Sequence, residues 1–158
     1  MAASGDELRR AMRRFPSGVC VVTVDDEGAA LAATVGSLVS LSLDPPLVGI
    51  SVGHQSSLHL PLRHAGRFAV SVLAGDQAHV AQHFARSVPP LAQWAGIQRR
   101  DAPWPEPLVA GALAWLSCRV ASAHEAGDHT LFVGAVDEVE LGRDTDALVY
   151  AGGRYRPL

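Results

Sequence analysis

The chain is a succession of short apolar runs, none of membrane-spanning length, each closed by a turn. Val19–Val24 is β-branched and apolar, the turn Asp25–Asp26–Glu27–Gly28 follows, and a second run extends from Ala29 to Thr34; together they predict a hairpin. Leu38–Leu43 alternates apolar and hydroxyl residues with period two, as a half-buried strand should. Leu47–Val52 and Phe68–Leu73 predict two buried strands. Ala112–Ala123 and Thr130–Leu141 predict two long ones, and Ala147–Tyr150 a last short one before the tail Arg154–Tyr155–Arg156.

Only three short helices are predicted beside these strands. Ser4-x-x-Glu7 is a capping box opening the first, with Leu8, Met12 and Phe15 on one face and Arg9, Arg10, Arg13 and Arg14 around it as a solvated face. Ser56 or Ser57 is placed to cap the second, which runs through Leu60 and Leu62. Asp76 is placed to cap the third, with Val80, Ala81 and Phe84 as its apolar side. Many strands and few helices leave sheet edges that need covering, so the predicted fold is mainly β with short helices, an antiparallel sheet closed into a barrel. With no repeat and no boundary, one domain over residues 1–158 is expected, residues 1–7 being a flexible N-terminus. Arg86–Pro107 is predicted as loop, its Trp94 and Trp104 packing over the barrel or along a dimer seam.

Charge and composition remove several functions. A net charge of −3 leaves no electrostatic footprint for nucleic acid or an anionic membrane. All 13 basic residues are arginine, which excludes a P-loop lysine and a Schiff-base lysine. No Gly-x-Gly-x-x-Gly follows a strand, no Gly-x-Ser-x-Gly elbow occurs, and there is no Cys-x-x-Cys pair. His79 and His83 have metal-ligand spacing but lack an obvious third ligand, and are read as exposed helix residues; no metal is expected. Cys20 and Cys118 sit in apolar runs and read as buried small hydrophobes. The N-terminus is polar and charged, without the apolar stretch of a secretory signal, so a cytoplasmic protein is expected.

One stretch stands apart. Thr34, Ser37, Ser40 and Ser42 place hydroxyls among apolar residues before Asp44–Pro45–Pro46, and no basic residue occurs between Arg14 and Arg63. Such a segment can offer small donors and backbone N–H groups to a ligand, and a phosphate there would be held by neutral dipoles. Ser40 and Ser42 can equally face water on a half-buried strand.

Read in order, Phe15–Pro16–Ser17–Gly18–Val19–Cys20–Val21–Val22–Thr23, Ala33–Thr34–Val35–Gly36–Ser37 and Ser40–Leu41–Ser42–Leu43–Asp44–Pro45–Pro46–Leu47 resemble the N-terminal half of the flavin reductase-like family. Phe68–Leu73, Gln82–His83–Phe84–Ala85, Gly127–Asp128–His129 with Val133–Gly134, and the ending Leu148–Val149–Tyr150 … Tyr155–Arg156–Pro157–Leu158 extend the resemblance from about Leu8 to the end of the chain. Ala33, Gly36 and Ser57 depart from it by small-for-small exchanges.

The resemblance implies a six-stranded antiparallel Greek-key split β-barrel, a homodimer, that binds FMN or FAD. It implies an NAD(P)H-dependent flavin reductase, taking hydride from NADH or NADPH and serving a flavin-dependent monooxygenase with diffusible reduced flavin. Carried over by position, Ala33, Thr34, Val35, Gly36 and Ser37 border the flavin ring. Ser51, Val52, Gly53, Ser56 and Ser57 meet the ribityl chain and phosphate. Phe84, Ala85 and Arg86 close that side, Arg86 as the only nearby cation. His129 with Tyr150 or Tyr155 faces the nicotinamide. No catalytic side chain is assigned, because hydride transfer between two stacked rings requires alignment at near contact rather than an acid or base. Two other readings stay open at this point: a tightly held prosthetic flavin reducing another acceptor, and a flavin-binding module without hydride chemistry.

Overall fold

The computed structural model describes residues Met1–Leu158. Helix α1 (Gly5–Met12) leads into β1 (Ser17–Gly18), β2 (Cys20–Asp26), β3 (Ala29–Val35), β4 (Val39–Leu43) and β5 (Pro46–Gly53). After α2 (His59–Ala65) come β6 (Arg67–Val72), α3 (Ala78–Phe84), a 3-10 turn at Pro90–Ala92, and the short strands β7 (Arg99–Arg100) and β8 (Leu108–Val109). The long strands β9 (Ala114–Ala126) and β10 (His129–Leu141), then β11 (Leu148–Ala151) and β12 (Arg154–Pro157), complete the chain.

The main sheet is antiparallel and seven-stranded, in the order β3-β2-β6-β9-β10-β5-β4. Its two edges are consecutive in the chain, separated only by Gly36, Ser37 and Leu38. Four residue steps span at most about 14 Å, whereas the edges of a flat sheet of this width lie about 29 Å apart. The sheet therefore has to curl until β3 meets β4, which makes a barrel left split along that side. Ser37 fastens the split: its hydroxyl donates to the Ser51 carbonyl at 3.0 Å and accepts from the Ser51 N–H at 2.9 Å. This is the kind of fold expected from sequence, with a different strand count. Seven strands form the main sheet rather than six, and β1-β11-β12 and β7-β8 form smaller sheets. The basic-aromatic tail supplies one of the extra strands, since Arg154–Pro157 pairs with Leu148–Ala151.

Continuous apolar runs mark strands buried on both faces, and β2 is one. Cys20, Val22 and Val24 point into the barrel with Ile50, Phe68, Val70 and Phe132. Val19 and Val21 pack on the other side against Val80, Ala81 and Phe84 of α3. Trp104 and Trp115 seal a third cluster over Ala69, Leu108 and Ala112, and Trp94 donates to the Ala30 carbonyl while meeting the Phe84 ring edge-on. The two thiols lie in this interior, and burial pushes both up to about 12.

Three local expectations are corrected. Neither Ser56 nor Ser57 caps α2: the N-cap is Leu58, and the Ser56 hydroxyl accepts from the Leu58 N–H one residue outside the helix. Asp76 does not cap α3, whose N-cap is Gln77, because its carboxylate is taken by a two-pronged pair with Arg143. Strand β4 is not half-buried: Val39, Leu41 and Leu43 are all exposed, with a bulge between Ser40 and Ser42. The capping box at Ser4 and Glu7 is present, so the segment expected to be flexible is helical from Gly5 onward, and α1 buries no side chain.

Gly134 of β10 lies against the core, where an added Cβ would sit 2.5 Å from Cζ of the fully buried Phe68. The Gly134→Ala variant should be destabilised by about 1–3 kcal/mol, the usual penalty of overpacking, read as a lower urea midpoint at unchanged slope.

Candidate active site

The split holds a slot. The end of β3 and the linker to β4 supply Ala33, Thr34, Val35, Gly36 and Ser37 on one side. The end of β5 and the turn after it supply Ser51, Val52, Gly53, Ser56 and Leu58 on the other, around a cavity of about 300 Å³. A second cavity of about 370 Å³ shares Ala33, Thr34 and Ser56 with the first and continues past Gln55 and Ser57 to Phe84, Ala85, Arg86 and Ser87 at the end of α3. Adjoining hollows of this size suit a cofactor-sized ligand. All thirteen residues assigned from sequence to the flavin line one or the other. Gln55, Leu58 and Ser87 were missed; being neighbours of assigned residues, they carried no distinct pattern.

Hydrogen bonding reassigns two hydroxyls. Thr34 donates to the Ala81 carbonyl at 2.7 Å and so ties β3 to α3, while Ser37 is spent on Ser51. Neither hydroxyl has a proton left to donate to a ligand, and both fix the wall. At Gly36 an added Cβ would lie 2.9 Å from the Ser17 hydroxyl, so a side chain there would oblige Ser17 to turn aside. Among the residues lining the two cavities only Arg86 is charged. Its Nε donates to the Gln82 carbonyl at 3.2 Å and its guanidinium forms no ion pair. The slot is thus a neutral cradle of small residues with one cation at its far end, which fits a flat polar ring with an anionic tail.

His129 opens β10 opposite Gly53. A Cβ on Gly53 would stand 3.5 Å from its Nε2, so the imidazole flanks the first cavity. Asp128 accepts from Nδ1 at 2.7 Å, and that bond, with the charge of His129, holds the Asp128 carboxyl below its usual range. Nε2 is left to accept from, or when protonated donate to, a ligand. The two tyrosines are not grouped with it. Tyr150 pairs with Ser17 on β1 and with Tyr155 on β12, the rings lie 4.9 Å apart, and neither lines the two cavities.

Beside the slot, the turn after β5 is tied to the β9–β10 hairpin. His54 Nε2 lies 2.8 Å from Glu125 Oε2, Arg63 pairs with Glu125 Oε1, and His59 Nε2 lies 2.8 Å from the Thr130 hydroxyl. His59 is held below the ordinary histidine value by burial first, then by His54 and Arg63. A histidine with a depressed folded pKa binds fewer protons folded than unfolded. Its contribution is therefore complete above about 6.5 and lost as pH falls through the folded value. Stability should decline over that window, and His59→Gln should flatten the decline in melts recorded between pH 8 and pH 5.

A family model described as "Flavin reductase like domain" matches residues 12–158. The chain is 39% identical over 154 residues to an NADH-dependent flavin reductase of Rhodococcus sp, covering 96% of this chain and 85% of the relative. It is 39% identical over 155 residues to the reductase component of the 4-hydroxyphenylacetate 3-monooxygenase of Thermus thermophilus, covering 97% and 96%. Among solved structures it superimposes on the NADH:FAD oxidoreductase SgcE6 of Streptomyces globisporus, in complex with NAD and FAD fragments. The TM-score is 0.90 at 37% identity, with 97% of this chain and 92% of that one covered.

Proposed function

The chain belongs to the flavin reductase-like domain family, and on that footing we propose that it is an NAD(P)H-dependent flavin reductase acting on FMN or FAD. It supplies reduced flavin to a partner oxygenase, as the Thermus relative's place in a two-component monooxygenase suggests. NADH is the donor that the relatives' names favour. The carrying observation is the slot at the barrel split, walled by Ala33–Ser37 and Ser51–Gly53 and ending at Arg86. Bound there, flavin provides the hydride acceptor. The chain's own part is to hold the ring flat against β3 and β5, to meet the anionic tail with Arg86 and the Ser56–Ser57 turn, and to set His129 beside the open face for the nicotinamide. Residues 1–158 act as one such domain, and the two free, buried cysteines accord with a cytoplasmic location.

Flavin is treated as a diffusible substrate. Burying about 250 Å² of ring yields about 6 kcal/mol at ~25 cal/mol/Å², before ordering costs, and one cation adds little. NADH and NADPH should each be titrated anaerobically with each flavin, and steady-state oxidation of the preferred donor should require flavin in excess over enzyme. Turnover unchanged with copurified flavin alone would establish the prosthetic reading instead. A flavin spectrum that neither donor bleaches would leave only a binding module.

The reductase works as a homodimer. Val39, Leu41 and Leu43 form an exposed apolar edge on β4, and an unpaired apolar edge invites a second copy. Gly49 lets Val39, Leu41 and Leu131 close over its backbone, with contacts of 3.1–3.4 Å to an added Cβ. Leu41→Asp should shift sedimentation from dimer to monomer; a wild-type monomer at micromolar concentration would refute the assignment.

A further inference from the structure

We propose that His54, His59 and Glu125 form a divalent transition-metal site, of the two-histidine, one-carboxylate kind suited to zinc, that ties the flavin-facing turn to the β9–β10 hairpin. The ligand atoms of these three side chains all lie within 4.8 Å of one another. They come from separate elements: the turn after β5, the first residue of α2, and the end of β9. Two histidines and a carboxylate make a donor set that zinc accepts with its fourth position left to water. Bonds of about 2.0–2.1 Å require ligand atoms roughly 3.4 Å apart; the His54–Glu125 pair at 2.8 Å opens to that separation and any wider pair closes to it, adjustments that rotation of the exposed His54 and Glu125 side chains supplies.

The surroundings already orient the ligands. The imidazoles of His54 and His59 meet edge-on with centroids 4.9 Å apart, and both direct Nε2 toward the Glu125–Thr130 pair. Glu125 offers Oε2 to His54, while Oε1 is held by Arg63 and by the Thr130 hydroxyl at 3.1 Å. Thr130 is fully buried and lies directly across the ladder from Glu125, which anchors that outer contact. For the metal to enter, each neutral imidazole moves its proton to Nδ1 and presents the Nε2 lone pair. The Arg63 charge on Oε1 opposes binding and weakens the site. The His54 N–H donates to the Asp128 carbonyl at 2.9 Å, so occupancy would stiffen the turn between Gly53 and Ser56 together with the hairpin tip that carries His129. The site stands whether or not the slot binds flavin.

Calorimetric titration of the full chain with zinc sulfate, in a non-chelating buffer at pH 7.5, tests this. One equivalent should bind per chain with a rise in melting temperature, and cobalt(II) in its place should give the visible band of a low-coordinate site. His54→Asn, His59→Gln and Glu125→Gln should each weaken binding by roughly 10-fold or more. His124→Gln, one residue away on the opposite face of β9, should leave it unchanged. Three ligand variants keep the test decisive if one of them misfolds. Absence of binding at millimolar zinc, or binding lost with His124 and retained in the ligand variants, would overturn the assignment.

Discussion

Ser56→Trp should lower flavin affinity by roughly 100-fold while leaving the fold intact. Ser56 is one of three residues that wall both cavities, and it lies in the turn before α2 rather than in a strand. Its single recorded side-chain bond is the long one from the Leu58 N–H, at 3.3 Å. An indole there fills the place where the two hollows join. Losing about half of the ring's burial removes roughly 3 kcal/mol, about two decades in Kd. Flavin fluorescence quenching gives the affinity and circular dichroism the fold. Wild-type affinity in a folded variant would show that the flavin lies elsewhere.

His129→Ala should separate the two ligands. Removing Nε2 beside Gly53 takes a hydrogen bond from the neutral nicotinamide carboxamide, worth about 0.5–1.5 kcal/mol, and so roughly 2- to 10-fold in kcat/KM for NADH. Flavin affinity should change by less than about threefold, since His129 lines neither cavity. His129→Gln, which keeps a polar reach, should recover part of the loss. Equal losses for flavin and NADH would place His129 against the flavin instead.

The wall of the slot was legible because it is local. Ala33–Ser37 and Ser51–Gly53 are runs at strand ends, and their order along the chain carries the family resemblance without any knowledge of what they touch. The use of each hydroxyl was not legible. Thr34 and Ser37 read as donors to a ligand, but their partners are the Ala81 carbonyl and the Ser51 backbone, 47 and 14 residues away. The cap expected at Asp76 failed for a related reason. Asp76 has the right chemistry for a helix start, and a guanidinium 67 residues away claims it first. The His54–His59–Glu125 cluster was invisible, because Glu125 reaches the histidines only through the β9–β10–β5 pairing.

Sequence alone determined the mainly β character, the hairpin of β2 and β3, the buried thiols and the residues that face the slot. The first three follow from periodicity, turn chemistry and short runs, in which neighbours in the chain act on one another, and the slot residues follow from the family resemblance that the order of those runs carries. Tertiary structure alone decided where along the sheet the barrel splits, that Val39, Leu41 and Leu43 of β4 are left uncovered within a single chain, and which polar groups remain free. The three-residue link between β3 and β4 forces the two edges together, and only that closure sets which distant donors and acceptors meet. Hydrogen bonds are claimed by proximity in space, and a linear pattern does not contain that proximity.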